Sequence, residues 1–253
     1  MADDIIIRFE NVTKSFGDNL VLDDVSCEIR RDKITVIVGP SGVGKSVFIK
    51  CLVGLMRPDR GHITVDGVDV TRLNRKELYA LRQRFGMMFQ DGALFDSMTV
   101  GENIAFPLRQ HTRKTQQEID AIVGRKLASV GLPGIENLFP SELSGGMRKR
   151  VGFARAIVME PEIVLFDEPN SGLDPVMADA IDSLILTMQH ELGITFLVIS
   201  HDIPSTRRIA DYVGMLYRSK LIAFGEREDV MNSDNGILNQ FFSRSSEGPI
   251  RVV

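Results

Sequence analysis

The stretch from Ile34 to Ser46 constrains this chain more than any other. Ile34-Thr35-Val36-Ile37-Val38 is a β-branched run, as a strand buried on both faces requires. Gly39-Pro40-Ser41-Gly42-Val43-Gly44-Lys45-Ser46 follows and fits the pattern G-x-x-x-x-G-K-[ST]. Val47, Phe48, Ile49, Leu52 and Val53 then recur at helical spacing. Strand, glycine loop, helix is the order that a phosphate-binding turn needs. The glycines let the backbone turn tightly and aim its N–H groups at phosphate oxygens. The helix adds the positive end of its dipole. Lys45 is expected to reach the β- and γ-phosphates, and Ser46 to offer its hydroxyl to Mg2+.

The rest of the chain supplies the context. Residues 5–38 read as strands and turns, and Ile63-Thr64-Val65 is a strand before a turn at Asp66-Gly67. Residues 76–84 are charged and read as helix; Gly86 to Phe89 reads as a buried strand. Ile119, Ile122, Val123, Leu127 and Val130 share one helical face, which Gly131 and Pro133 end. Ile181, Leu184, Ile185, Met188 and Leu192 repeat that pattern, and Thr195 to Ser200 is again a β-branched strand. Helices alternating with buried strands predict an α/β fold on a mostly parallel sheet.

Composition narrows the function classes. At 253 residues with 43% hydrophobic and 25% charged residues, the chain can bury the core of one sizeable domain. A formal net charge of -4 argues against a dedicated nucleic-acid binder. Cys27 and Cys51 lack metal-ligand spacing and read as buried thiols in a reducing compartment. The acidic start Met-Ala-Asp-Asp is unlike a secretory leader. No apolar run reaches bilayer length, so membrane work needs a partner that spans it.

A second acidic motif suits a hydrolase. Ile163-Val164-Leu165-Phe166 leads into Asp167-Glu168. A buried strand would deliver Asp167 to the outer shell of the metal, at the strand end where ligands of open α/β sheets sit. Glu168 would then polarise an attacking water.

Leu143-Ser144-Gly145-Gly146-Met147 resembles the LSGGQ signature of ABC ATPases, with methionine as a departure at the last position. The serine and both glycines remain and would open a helix aimed at a γ-phosphate. The resemblance implies that this phosphate belongs to ATP bound by a second subunit, so that the chain works as a homodimer around two nucleotides. Other positions match the family in order. Phe16 matches the aromatic that stacks on adenine. Gln90 matches the Q-loop glutamine that senses Mg2+ and the attacking water. Ser171-Gly172-Leu173-Asp174 matches the D-loop, and His201 the switch histidine at the γ-phosphate. Asn170 departs from the threonine of many relatives. The resemblance covers about residues 5–230. It implies a P-loop NTPase (RecA-like) core, an N-terminal antiparallel β part and an inserted α-helical subdomain. The expected organisation is one ATPase domain over 1–242, with its core at 1–90 and 155–242, its helical subdomain near 91–154, and a flexible tail at 243–253.

The stretch from Asp91 to Val100, with Phe106-Pro107-Leu108, is similar to the ATPases of Mce- and Mla-type phospholipid transport. That implies an integral membrane permease, a Mce-domain substrate-binding protein, a small STAS-domain partner and a place on the cytoplasmic face of the inner membrane. In such relatives a C-terminal extension crosses to the neighbouring subunit. The apolar residues Ala93, Leu94, Phe95, Met98 and Val100 either receive a short permease helix or pack inside the helical subdomain. An importer ATPase for another small solute is the alternative. A soluble repair ATPase would need a long coiled coil between its motifs, and a translation-type member two phosphate loops in one chain. A GTPase would need an Asn-Lys-x-Asp motif, which this sequence lacks.

Overall fold

The computed structural model describes residues 4–90 and 92–250. Asp91, the first residue of the stretch singled out above, lies outside the described residues, as do the three residues at each end. The elements run β1 (Ile5–Phe16), β2 (Asn19–Arg30), β3 (Ile34–Val38), α1 (Lys45–Leu52), β4 (Arg60–Val65), β5 (Val68–Asp69), α2 (Arg75–Arg82) and β6 (Phe85–Met88). Then follow α3 (Val100–His111), α4 (Gln116–Ser129), α5 (Gly145–Ile157), β7 (Ile163–Asp167), α6 (Pro175–Leu192) and β8 (Thr195–Ser200). The chain ends with α7 (Ile203–Ile209), β9 (Tyr212–Tyr217), β10 (Lys220–Glu226), α8 (Arg227–Met231) and α9 (Gly236–Ser243). These elements form two compact units: one runs up to Ala80 and resumes at Thr195, the other spans Leu81–Ile194.

The first unit holds the antiparallel sheet β2-β1-β4-β5. In the same unit β3 pairs in parallel with β8 and with β9, and β10 closes antiparallel on β9. All five residues of β3 and all six of β8 are buried, which is why both read as unbroken apolar runs rather than as alternation. Phe9 of β1 stacks on Phe48 of α1 at 4.0 Å between ring centroids. That contact seats the helix that follows the glycine loop. The tail turns back onto α9: the Gln240 amide nitrogen donates to the carbonyls of Ser245 and Ile250 at 3.3 and 3.0 Å, and its oxygen accepts from the Ile250 N–H at 2.6 Å.

The second unit pairs β6 with β7 in parallel and packs α3, α4 and α5 around Val100, Ile104, Leu108, Leu127, Val151 and Ala154. Of the predicted stripe, Ile119, Val123 and Leu127 of α4 and its C-cap Val130 are buried, and Ile122 is half-buried against the same core. Thr99 with Glu102, and Thr115 with Glu118, form capping boxes that start α3 and α4. Helix α3 is not evident from the sequence, because Pro107 lies inside it and proline normally ends a helix. Phe153 meets Phe166 edge-on at 4.9 Å, tying α5 to β7. Among the described residues no helix is long and apolar enough to cross a membrane. Both cysteines are free and buried. Burial raises both thiols, that of Cys51 to about 11, so neither is poised to react.

Candidate functional site

In the first unit the glycine loop leaves β3 and enters α1. Gly39 stands at φ +151, and an added Cβ would overlap the Leu216 carbonyl oxygen. Gly42 stands at φ +77. Gly44 is the left-handed N-cap of α1, with no side chain to cap the helix. Lys45 is 7% exposed, and its Nζ donates to the carbonyls of Gly39 and Pro40 at 2.7 and 3.0 Å. The ammonium therefore lies across the loop at the positive end of α1. That helix has no acidic residue in its first turn, so its own first turn sets no negative charge against an anion at the positive end of its dipole. Ser41 and Ser46 are exposed and Val43 is half-buried. Phe16, at the end of β1, is 47% exposed with the Lys14 ammonium 5.5 Å from its ring centre. His201 is exposed directly after β8.

In the second unit β7 ends at Asp167, which is half-buried like Glu168. Glu168 adopts φ +56, a left-handed conformation that costs about 1–3 kcal/mol for a residue with a side chain. The turn closes with the Ser171 N–H on the Glu168 carbonyl at 3.2 Å. The Gln90 amide nitrogen donates to the Ser171 hydroxyl at 3.1 Å, so Gln90 and the Ser171–Asp174 segment meet. Asp174 caps α6, accepting from the N–H groups of Val176 and Met177 at 3.0 and 3.1 Å.

Leu143 to Met147 form the entry to α5. Leu143 is buried, and the Ser144 hydroxyl accepts from the Met147 N–H at 3.3 Å as the N-cap. This helix too has no acidic residue in its first turn. Gly145 is exposed. An added Cβ on Gly146 would meet the terminal methyl of Met177. Met147 packs against the core of the helices. The departure at this position thus trades an amide for apolar contact.

The 93–100 stretch divides between its two readings. Val100 is fully buried and Leu94 packs on the same core. Phe95 is 43% exposed and joins Ala93 on the wall of an apolar groove of about 460 Å3, lined also by Phe85, Phe89, Phe106 and Pro107. Two residues that sequence reasoning missed hold that wall. Asn103 bonds the Phe95 N–H at 2.7 Å and the carbonyls of Phe95, Met98 and Thr99 at 3.0–3.1 Å. Arg155 donates to the carbonyls of Gly92 and Ala93 at 2.7 and 2.9 Å. Burial pulls its guanidinium below the usual arginine range.

Asn170, left without a role by the sequence, donates to Asp182 of α6 at 2.8 Å, and both are buried. Lys149 was missed as well. Its buried ammonium reaches the Pro169 and Ser171 carbonyls. In the sequence it is one of three successive basic residues, Arg148-Lys149-Arg150, with nothing to set it apart.

Comparison with known proteins agrees with this geometry. The family model described as "ABC transporter" matches residues 22–171. The chain is 42% identical over 246 residues to the intermembrane phospholipid transport system ATP-binding protein MlaF of Haemophilus influenzae, covering 97% of this chain and 93% of that one. It is 48% identical over 246 residues to the probable ribonucleotide transport ATP-binding protein mkl of Mycobacterium bovis, covering 97% of this chain and 68% of that one. Among solved structures, cbiO1 of Clostridium perfringens, part of the cbiONQ transporter complex, superposes with a TM-score of 0.84 at 31% identity, covering 90% of this chain and 91% of that one. An ATP-binding cassette solved as a post-hydrolysis dimer with ADP and Pi superposes with a TM-score of 0.80 at 29% identity, covering 87% and 98%. The chain belongs to the ATP-binding subunits of the ABC transporter family and is an ATP hydrolase of that family.

Proposed function

We propose that this chain powers phospholipid transport of the Mla type. It acts as a homodimer, peripheral to the cytoplasmic face of the inner membrane, on an integral permease. A Mce-domain substrate-binding protein and a small STAS-domain protein complete the assembly, and nucleic acid has no part in it. The ATPase is a single domain over 1–242, with core segments 1–90 and 155–242, a helical subdomain at 91–154 and a tail at 243–253.

In this reading each ATP is held by one copy through Phe16 and Gly39 to Ser46, and by the other through Leu143 to Met147. Glu168 takes a proton from the water that attacks the γ-phosphorus, and ADP leaves as the γ-phosphate becomes free phosphate. His201 stabilises the charge on the γ-phosphate, and Gln90 and the Ser171–Asp174 loop follow the state of the nucleotide. Closure of the dimer pulls on the permease. Hydrolysis divides the charge that held the interface, and the dimer opens. Mg2+ would neutralise phosphate charge; Ser46, Gln90 and Asp167 would hold it, Asp167 through water. Their donors are a hydroxyl, an amide and a carboxylate, the all-oxygen set that this hard cation takes.

The observation that carries the ATPase reading is the buried Lys45 ammonium lying across Gly39 and Pro40 at the head of α1. The MlaF relatives support phospholipid as cargo. The groove beside Phe95 supports a permease helix as its occupant, being apolar and held open by Asn103 and Arg155. A second reading, with a ribonucleotide or another small solute as cargo, has the mkl relatives in its favour.

Two measurements test these readings. Glu168→Gln should keep nucleotide affinity and lower turnover by at least about 100-fold; normal hydrolysis by that variant would sink the assignment. Co-purification from detergent-solubilised membranes should recover a Mce-domain protein. Recovery of a solute-binding protein for nucleotides, amino acids or metals instead would overturn the lipid reading and leave the ATPase standing.

A further inference from the structure

The segment after Glu168 is an irregular turn between β7 and α6. Glu168 itself is at φ +56, and Pro169 has no N–H to give. The turn retains the bonds from Ser171 N–H to Glu168 and from Leu173 N–H to Asn170, both 3.2 Å. Side chains add to these. Lys149 of α5 is 4% exposed, and its Nζ donates to the Pro169 carbonyl at 2.8 Å and to the Ser171 carbonyl. A buried ammonium is costly to hold unless its donors are paired. These two carbonyls are therefore strongly bound acceptors, and they lie one and three residues past Glu168. Asp182 of α6 holds Asn170 between them.

We propose that Lys149 is a positioning residue for the general base. From the helix that opens at Ser144, its ammonium bridges two carbonyls of the catalytic turn and fixes the left-handed backbone that aims the Glu168 carboxylate. The bridge also ties the signature helix to the turn, so a shift of α5 on meeting the partner's nucleotide moves residues 169–171 with it. This rests on the reading of Glu168 as base and of Leu143 to Met147 as signature.

The test uses Lys149→Met, which keeps the stem and removes the donors, and Lys149→Gln, which keeps a neutral donor pair. Both are made in the wild-type chain and in Glu168→Gln. Single-turnover ATP hydrolysis, steady-state kcat and KM, and nucleotide affinity are measured in the full chain. The Met variant should lose 10- to 100-fold in kcat, with KM and affinity within about twofold, and the Gln variant should fall between it and wild type. In the Glu168→Gln background neither change should lower the residual rate further, because the base it positions is already gone. Unchanged kcat would overturn the proposal, as would an equal loss in both backgrounds. If the Met variant does not fold, the Gln variant decides by the same two criteria. Should the wild-type chain lack ATPase activity, or Glu168→Gln retain it in full, the underlying reading fails whatever Lys149 does.

Discussion

Two helices of this chain begin at glycine-rich turns, and the turns use glycine differently. Before α1, Gly39 and Gly42 have φ of +151 and +77, and a Cβ on Gly39 would run into the Leu216 backbone. Before α5, Gly145 and Gly146 have no positive φ. A Cβ on Gly145 would meet nothing within 4 Å, and one on Gly146 would fall 2.1 Å from the terminal methyl of Met177. The first loop needs its glycines in order to exist. The second has room for a side chain at Gly145, and at Gly146 only if Met177 shifts. In the proposed reading the first turn is an anion site of one copy, and the second meets the phosphate held by another copy.

The sharpest way to break the comparison is at Gly39. Gly39→Ala should destabilise the fold by more than about 3 kcal/mol, since backbone has to move to admit the Cβ. Denaturant unfolding reads this directly, and a loss below about 1 kcal/mol would mean that the loop is less constrained than its geometry says. Gly42→Ala isolates the dihedral, because nothing lies within 4 Å of its Cβ. It should cost about 1–2 kcal/mol in stability, with a rise in KM for ATP as the loop loses its fit to phosphate. A KM that stays put while stability falls would separate the conformation of this loop from its binding role.

The first turn was legible in the sequence and the second only through likeness to a family, for a physical reason. A β-branched strand, a glycine run and an apolar helix are local patterns, each set by residues within a few positions of one another. The stripe of Ile119, Val123 and Leu127 was legible on the same grounds. Lys149 was not, because Arg148, Lys149 and Arg150 are alike as a string; only the packing of α5 against the turn after β7 sends the middle one inside. Asn170 gains its meaning from Asp182, twelve residues on. The 93–100 stretch could not be divided beforehand, since Leu94 and Phe95 are neighbours that face core and groove. For α3, the Thr99–Glu102 capping box was a usable signal that Pro107 obscured.

Gly145→Ala has the smallest expected effect on the fold and bears most directly on the difference between the two turns. Alanine at the first position of α5 favours the helix, so thermal stability should hold or rise, by up to about 1 kcal/mol. A methyl group there would nonetheless stand between the helix N-terminus and a phosphate presented from outside. Turnover should therefore fall, with the nucleotide affinity of the isolated chain unchanged, because the chain's own loop is intact. Melting temperature, affinity and ATPase rate, measured on one preparation, separate the three effects. An ATPase rate equal to wild type would mean that no phosphate approaches Gly145, and the open face of α5 would then need another explanation.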